Sequence, residues 1–333
     1  MNTVATAAHD QVLAELREAD KLLLTTHENP DGDALGSLLA MHLILGQLGK
    51  DSLMYMSPDE FPLPWEYRSF QFEGLLGTAP ADVAERTIVF LDCGNIDRMP
   101  VDFLKQDGLH VLNIDHHHDN TRFGTVNLVV GSASCTAEIV FDLAKDLGAE
   151  ITPPIADALY VALVTDTGRF MYENTTPRAH LMAAELIQAG VTPHDVYRRL
   201  YEDLPFSRLE LLSRALSSVE RHDGGAVTVG HLAKGDFEET GAVETDSEGI
   251  VDHMRAVEGT AVAVLVRELL ADERAGLRKV SLRATDGRVD VSRIAREMGG
   301  GGHRQAAGFT TELPYEELIE RLRTRIAAQL DAA

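Results

Sequence analysis

His27-Glu28-Asn29-Pro30-Asp31-Gly32-Asp33-Ala34-Leu35-Gly36-Ser37 is the stretch that decides how this chain folds. It follows Leu22-Leu23-Leu24-Thr25-Thr26, an apolar run that reads as a buried strand. It runs into residues 34–46, which read as a helix. A strand, a Pro/Gly-punctuated turn and a helix in that order is the repeating unit of a parallel sheet. In such sheets ligands bind beyond the carboxyl ends of the strands. Asp31 and Asp33 are two residues apart, so a tight turn can aim both at one point or at two adjacent points. His27 adds a nitrogen to those oxygens. That donor set suits Mn²⁺ or Mg²⁺ better than a thiolate metal. The same residues also read as an Asx turn that caps the helix.

Outward from this stretch the pattern recurs. Residues 87–91 form an apolar strand ending in Asp92-Cys93-Gly94-Asn95, and residues 110–114 form another ending in Asp115-His116-His117-His118. The apolar stretch 155–164 leads into Thr165-Asp166-Thr167-Gly168-Arg169-Phe170. A helix is expected over 10–20, strands over 52–56 and 126–130, and a helix over 134–147 with Ser132 or Ser134 as its N-cap. Residues 57–80, rich in Pro, Gly and aromatics, read as a loop around the single tryptophan, Trp65. Strands and helices alternate, so residues 1–190 are expected to form an α/β domain with a doubly wound, mostly parallel sheet. Residues 191–224 read as a helical linker, with 179–189 and 205–221 the clearest helical pieces around it. Residues 225–333 read as a smaller α/β domain: strands over 226–232, 261–268, 279–284 and 306–310, helices over 291–298 and 315–330, and a glycine loop over 299–302.

The bulk properties narrow the function. The chain has 333 residues, 30 Lys and Arg against 53 Asp and Glu, and a net charge of −23. That argues against binding a long nucleic acid, which calls for a basic footprint. Cations do gather in one place. Residues 278–304 carry Arg278, Lys279, Arg283, Arg288, Arg293, Arg296 and Arg304 against only Asp286, Asp290 and Glu297. Cys93 and Cys135 are the only cysteines, so no disulfide framework or cysteine zinc site is expected, and a reducing cytoplasm is the expected location. No secretion signal and no membrane-length apolar run is read.

In a parallel sheet the strand ends converge on one edge. That edge would gather Asp31, Asp33, Asp92, Asp115 and Asp166 with His27, His116 and His117. Such a cluster of carboxylates repels itself unless cations fill it. Two divalent ions would relieve the repulsion and make a phosphoester hydrolysis site.

Asp115-His116-His117 behind a strand, with His27-x-x-x-Asp31-x-Asp33 upstream, resembles the DHH phosphoesterase family. Gly299-Gly300-Gly301-Gly302-His303 resembles the nucleotide-binding domain associated with it. The Asp166-Thr-Gly-Arg-Phe and Asn174-Thr-Thr segments are similar to the nanoRNase and pAp-phosphatase branch. The resemblance implies two Mn²⁺ ions, with Mg²⁺ as the other option. One would take His27, Asp31 and Asp92; the other would take Asp33, Asp92, His116 and Asp166. Asp115 would orient a ligand histidine, and His117 would face the scissile phosphate. Gly300, Gly301, Gly302, His303 and Arg283 would hold a terminal phosphate, with Arg169 a further substrate contact. Glycine amides can approach a phosphate closely, and an arginine can hold one bidentately.

The expected activity is hydrolysis of very short oligoribonucleotides to 5′-mononucleotides, with dephosphorylation of pAp as a second activity. Cyclic dinucleotides are the alternative substrates. A processive RecJ-like exonuclease and a catalytically silent nucleotide sensor are the weaker alternatives. No membrane partner is expected, and a homodimer is what the family implies.

Overall fold

The computed structural model describes residues 3–332 apart from Pro100, Asp107, Asp203 and His303. The chain forms two compact units, residues 1–202 and 203–333.

The first unit runs α1 (Thr3–Glu18), β1 (Lys21–Thr25), α2 (Gly32–Gln47), β2 (Asp51–Tyr55), β3 (Leu75–Leu76), β4 (Thr87–Leu91), β5 (Val111–Asp115), β6 (Val126–Val129), α3 (Thr136–Leu147), α4 (Pro153–Asp166), α5 (Pro177–Gln188) and α6 (Pro193–Tyr201). Its six strands lie in the order β3-β2-β1-β4-β5-β6, and every pairing is parallel. Both faces are covered, as the period of two demands. Leu22, Leu24, Val89, Leu91, Leu112 and Ile114 point into one core with the helices. Leu23, Ile88, Phe90 and Val111 point into a second core with Met99 and Leu104.

The apolar stretch 155–164 is the body of α4, a helix buried on nearly all sides. It lies along α2. A Cβ on Gly36 would come within 2.4 Å of the Ala158 carbonyl oxygen, and one on Gly32 within 2.3 Å of Thr165 Oγ1. These glycines let the two helices close on each other. The N-cap of α3 is Cys135 rather than Ser132 or Ser134, and its side chain caps nothing. A carboxylate from α2 takes that role, as described below.

The second unit runs α7 (Phe206–Ser217), β7 (Glu220–His222), β8 (Val227–Leu232), α8 (Lys234–Thr240), α9 (Ile250–Arg255), β9 (Val262–Glu268), β10 (Arg278–Ala284), α10 (Val291–Glu297), β11 (Gly301–Gly302), β12 (Ala306–Thr311) and α11 (Tyr315–Leu330). Its sheet order is β11-β12-β10-β9-β8-β7; β8 and β9 are parallel and the other pairs antiparallel. Val262, Val264 and Val266 face α10 and α11, while Ala263 and Leu265 face α7 to α9. The expected glycine loop is partly strand. Gly301 and Gly302 pair with Gly308 and Ala307 on β12. A Cβ on Gly300 would meet the Gly308 carbonyl at 2.1 Å, so close backbone contact explains that glycine. The segment expected as a linker, 191–224, divides between the units. Val196 and Leu200 of α6 join the first core, and Leu211 and Ala215 of α7 join a core of the second.

Candidate metal centre

The chain leaves β1 toward β2 on one side and returns as β4 on the other. That reversal opens a crevice beyond the carboxyl ends of β1 and β4, the position where open sheets bind ligands. His27, Asp31 and Asp33 follow β1, and Asp92 follows β4 directly. Asp115 ends the neighbouring strand β5, with His116 and His117 next. Asp166 is the last residue of α4, whose partner α2 begins at Gly32.

Asp92 sits in the middle. Its backbone has φ 59°, the left-handed region that aspartate tolerates better than most residues. Its Oδ2 lies 3.5 Å from His27 Nε2, and its Oδ1 lies 3.7 Å from His116 Nε2 and 3.5 Å from His117 Nδ1. Thr136 Oγ1 donates to Oδ1 at 3.0 Å. Burial opposes the charge, but the three imidazoles outweigh it and hold this carboxyl below the usual range. Asp33 is equally buried, and the acids around it outweigh the Thr136 amide that favours its charge. Burial, then Asp92, Asp166 and Asp31, drive its carboxyl well upward. Asp166 is pushed up to about 7, chiefly by burial, with His116 opposing and Asp31 and Asp92 adding. Buried carboxylates this close together repel unless protons or cations offset their charge.

Each carboxylate is also held in place. Asp31 Oδ1 accepts the amides of Asp33 and Ala34 at 3.0 and 3.1 Å, so the Asx-turn reading and the ligand reading describe the same residue. Asp33 reaches across to the start of α3 and accepts the amides of Thr136 and Ala137 at 2.6 and 3.0 Å. It is the cap that Cys135 does not supply. Asp166 Oδ2 accepts from Asn174 Nδ2 at 3.1 Å. Asp115 Oδ1 bonds His117 Nδ1 at 2.7 Å, and its Oδ2 accepts from Asn120 at 2.5 Å. Against the penalty of burial, that bond and Asp92 raise His117 to about 9. The histidine that Asp115 orients is therefore His117.

Among the described residues, three groups have donor atoms within 4.8 Å of one another: His27, Asp31 and Asp92; Asp33, His116 and Asp166; and Asp92, His116 and His117. Asp92 and His116 each belong to two. Carboxylate oxygens with imidazole nitrogens and no cysteine fit hard or borderline divalent cations. His117 joins a group, although its expected place was toward the phosphate.

Residues 21–163 match the DHH family N-terminal domain, and residues 226–332 match the DHHA1 domain. A bifunctional oligoribonuclease and PAP phosphatase, NrnA, from Thermus thermophilus is 35% identical over 95% of this chain and 94% of its own. The chain belongs to the DHH family. The NrnA of Bacillus subtilis is 27% identical over 87% of this chain and 88% of its own. An exopolyphosphatase-related protein from Bacteroides fragilis superposes with a TM-score of 0.86 at 25% identity, covering 100% of this chain and 99% of that one. As a DHH member the chain is a metal-dependent phosphoesterase.

Among the expected substrate contacts, Arg169 follows α4 with φ 64° and lies over the Tyr201 ring at 5.1 Å. In the DHHA1 unit, Arg283 stands opposite Ala306, next to the Gly302–Ala307 pair, with Nε 3.5 Å from Asp252. Gly301 has open space at its Cβ position. His303 lies outside the described residues. Among the described residues, no helix is long and apolar enough to cross a membrane. Asn174, which holds Asp166, was marked by its motif but without a role, whereas Thr136 and Asn120, which hold Asp92 and Asp115, were not legible as site residues. Their signal is spatial, since Thr136 lies 44 positions from Asp92 in sequence.

Proposed function

We propose that this chain hydrolyses very short oligoribonucleotides to 5′-mononucleotides and removes a phosphate from pAp. The observation that carries the reading is the sharing of Asp92 and His116 among adjacent ligand groups at the sheet's switch point. Such sharing suits two neighbouring cations. The substrate class follows the names of the Thermus and Bacillus relatives.

His27, Asp31 and Asp92 would hold one Mn²⁺ or Mg²⁺ ion; Asp33, Asp92, His116 and Asp166 would hold the other. Bound divalent cations supply an acidified water and neutralise the phosphoryl charge. The chain's own part is positional and protonic. Amides of α2 and α3 fix the Asp31 and Asp33 carboxylates. Asp115 fixes the His117 ring through Nδ1 and keeps a proton on it near neutral pH. His117 would then donate to a phosphoryl or leaving oxygen. The glycine run, Arg283 and His303 would grip the substrate's terminal phosphate, and Arg169 would add a contact.

A product ladder tests this: labelled 2- to 24-mers with Mn²⁺, beside pAp and c-di-AMP. Rapid release of mononucleotides from 2- to 5-mers, and phosphate from pAp, is expected. Preference for c-di-AMP would transfer the chain to the cyclic-dinucleotide reading.

A further inference from the structure

The loop from His27 to Asp33 supplies three carboxylate or imidazole ligands, yet most of its backbone is irregular. Besides the Asx turn at Asp31, contacts from outside hold it. The Glu28 amide donates to the Arg98 carbonyl at 2.7 Å. The Asn29 amide donates to Glu60 Oε2 at 2.8 Å. Asn29 itself is exposed and adopts φ 51°, a left-handed conformation that asparagine tolerates better than most residues, and the bond to Glu60 pins its amide there. The Tyr67 hydroxyl lies against the Gly32 amide, at the first turn of α2.

Glu60 and Tyr67 both belong to the segment 57–67, which holds two 3₁₀ turns, Pro58–Glu60 and Trp65–Tyr67. The second turn packs on α6, and Trp65 is buried. The segment is thus anchored at its far end and presents two oxygens to the loop. Among the described residues, Glu60 belongs to none of the groups close enough to share a cation.

We infer that the segment 57–67 is a brace for the ligand loop, and that Glu60, through the Asn29 amide, is a positioning residue that sets the cation affinity of His27 and Asp31. The argument is one of preorganisation. A loop already held in its ligating shape loses less freedom when the ion arrives. Without the carboxylate, Asn29 can leave the left-handed region and carry its two ligand neighbours apart. The inference rests on the metal-site reading above.

The test uses the full chain with Glu60→Ala, Glu60→Gln and Tyr67→Phe. Two readouts are taken: calorimetric titration with Mn²⁺ alone, and amide hydrogen exchange of the metal-free chain over residues 28–33. Glu60→Ala should weaken one Mn²⁺ site by about tenfold, the low end of what outer partners of metal ligands contribute. It should also speed exchange at Asn29. Glu60→Gln keeps an acceptor oxygen and should restore both values to near those of the unmodified chain. Tyr67→Phe should speed exchange at Gly32. Equal Mn²⁺ affinity in Glu60→Ala would overturn the brace. So would equal damage from Gln and Ala, because Glu60 would then act as a bare charge. An unmodified chain that takes up no Mn²⁺ would sink the metal-site reading itself, a result distinct from either.

Discussion

Asp92 is the residue on which the centre depends most, because three imidazoles and Thr136 converge on it. Asp92→Ala should lose both ions and nearly all turnover, whereas Asp31→Ala should lose one. Metal content per chain and turnover at saturating Mn²⁺ measure this; two retained ions with near-normal turnover would defeat the shared-ligand assignment. Asp166 gives a prediction about pH. In the metal-free fold its carboxyl sits at about 7 against the ordinary 3.8. Between those values the folded chain keeps a proton that the unfolded chain has lost. Stability of the metal-free chain therefore falls as pH rises from about 4 to about 7, and what is lost there is absent at higher pH. Asp166→Asn should flatten that slope, as read from thermal midpoints in the presence of chelator. An unchanged slope would place its origin elsewhere. His27, Asp31, Asp33, Asp92, Asp115, His116 and His117 stand out in the sequence because each lies at or just behind the end of an apolar strand, so one local pattern marks both the strand and the candidate ligand. Asn120, Thr136 and Glu60 do not, because each acts through a bond to a residue far away or carries no apolar flank of its own.

Between α2 and α4 the contact is as close as backbone allows, and those two helices carry Asp33 and Asp166 at facing ends. Gly36→Ala would press a methyl against the Ala158 carbonyl, and overpacking of this kind costs about 1–3 kcal/mol. Gly46 lies on the same helix with open space around it. Gly46→Ala should be neutral or stabilise by up to about 1 kcal/mol, since alanine is the better helix former. Urea denaturation of the two variants makes the comparison, and equal effects would show that the spacing of α2 and α4 is not tight. The long elements could be read because their apolar period is complete: β4 and α11 fall on the expected residues, 87–91 and 315–330. The helices α8 and α9 have seven and six residues and show too little of a period to stand out. The strand β11 has two glycines and no side-chain pattern at all. Only its partner across the ladder makes it a strand.

Across the whole chain the charge is strongly negative, and its cations concentrate in residues 278–304. Affinity for long polymers grows with the number of phosphates neutralised along a basic track. Here the gain ends with the ligand centre and that one patch, and further phosphates meet like charge. kcat/KM is therefore expected to fall as substrates lengthen past a few nucleotides. The penalty should shrink as salt rises, because screening acts on exposed charges about 10 Å apart at 0.1 M. Steady-state rates on 3-mers and 24-mers at two salt concentrations decide it. Equal efficiency at low salt would favour the processive exonuclease reading, and a penalty indifferent to salt would point to a steric stop.

The all-parallel sheet has a consequence in time. β1 pairs with β4, so Leu22 meets Thr87 only after more than sixty intervening residues have been arranged. The side chains that would share a cation span His27 to Asp166. Distant pairings of this kind close slowly, since chain entropy is lost before contacts compensate. A growing chain that has not yet delivered α4 holds an incomplete set. Cation capture is then a late event, and uptake of Mn²⁺ during refolding becomes a clock that strikes when the first unit is finished.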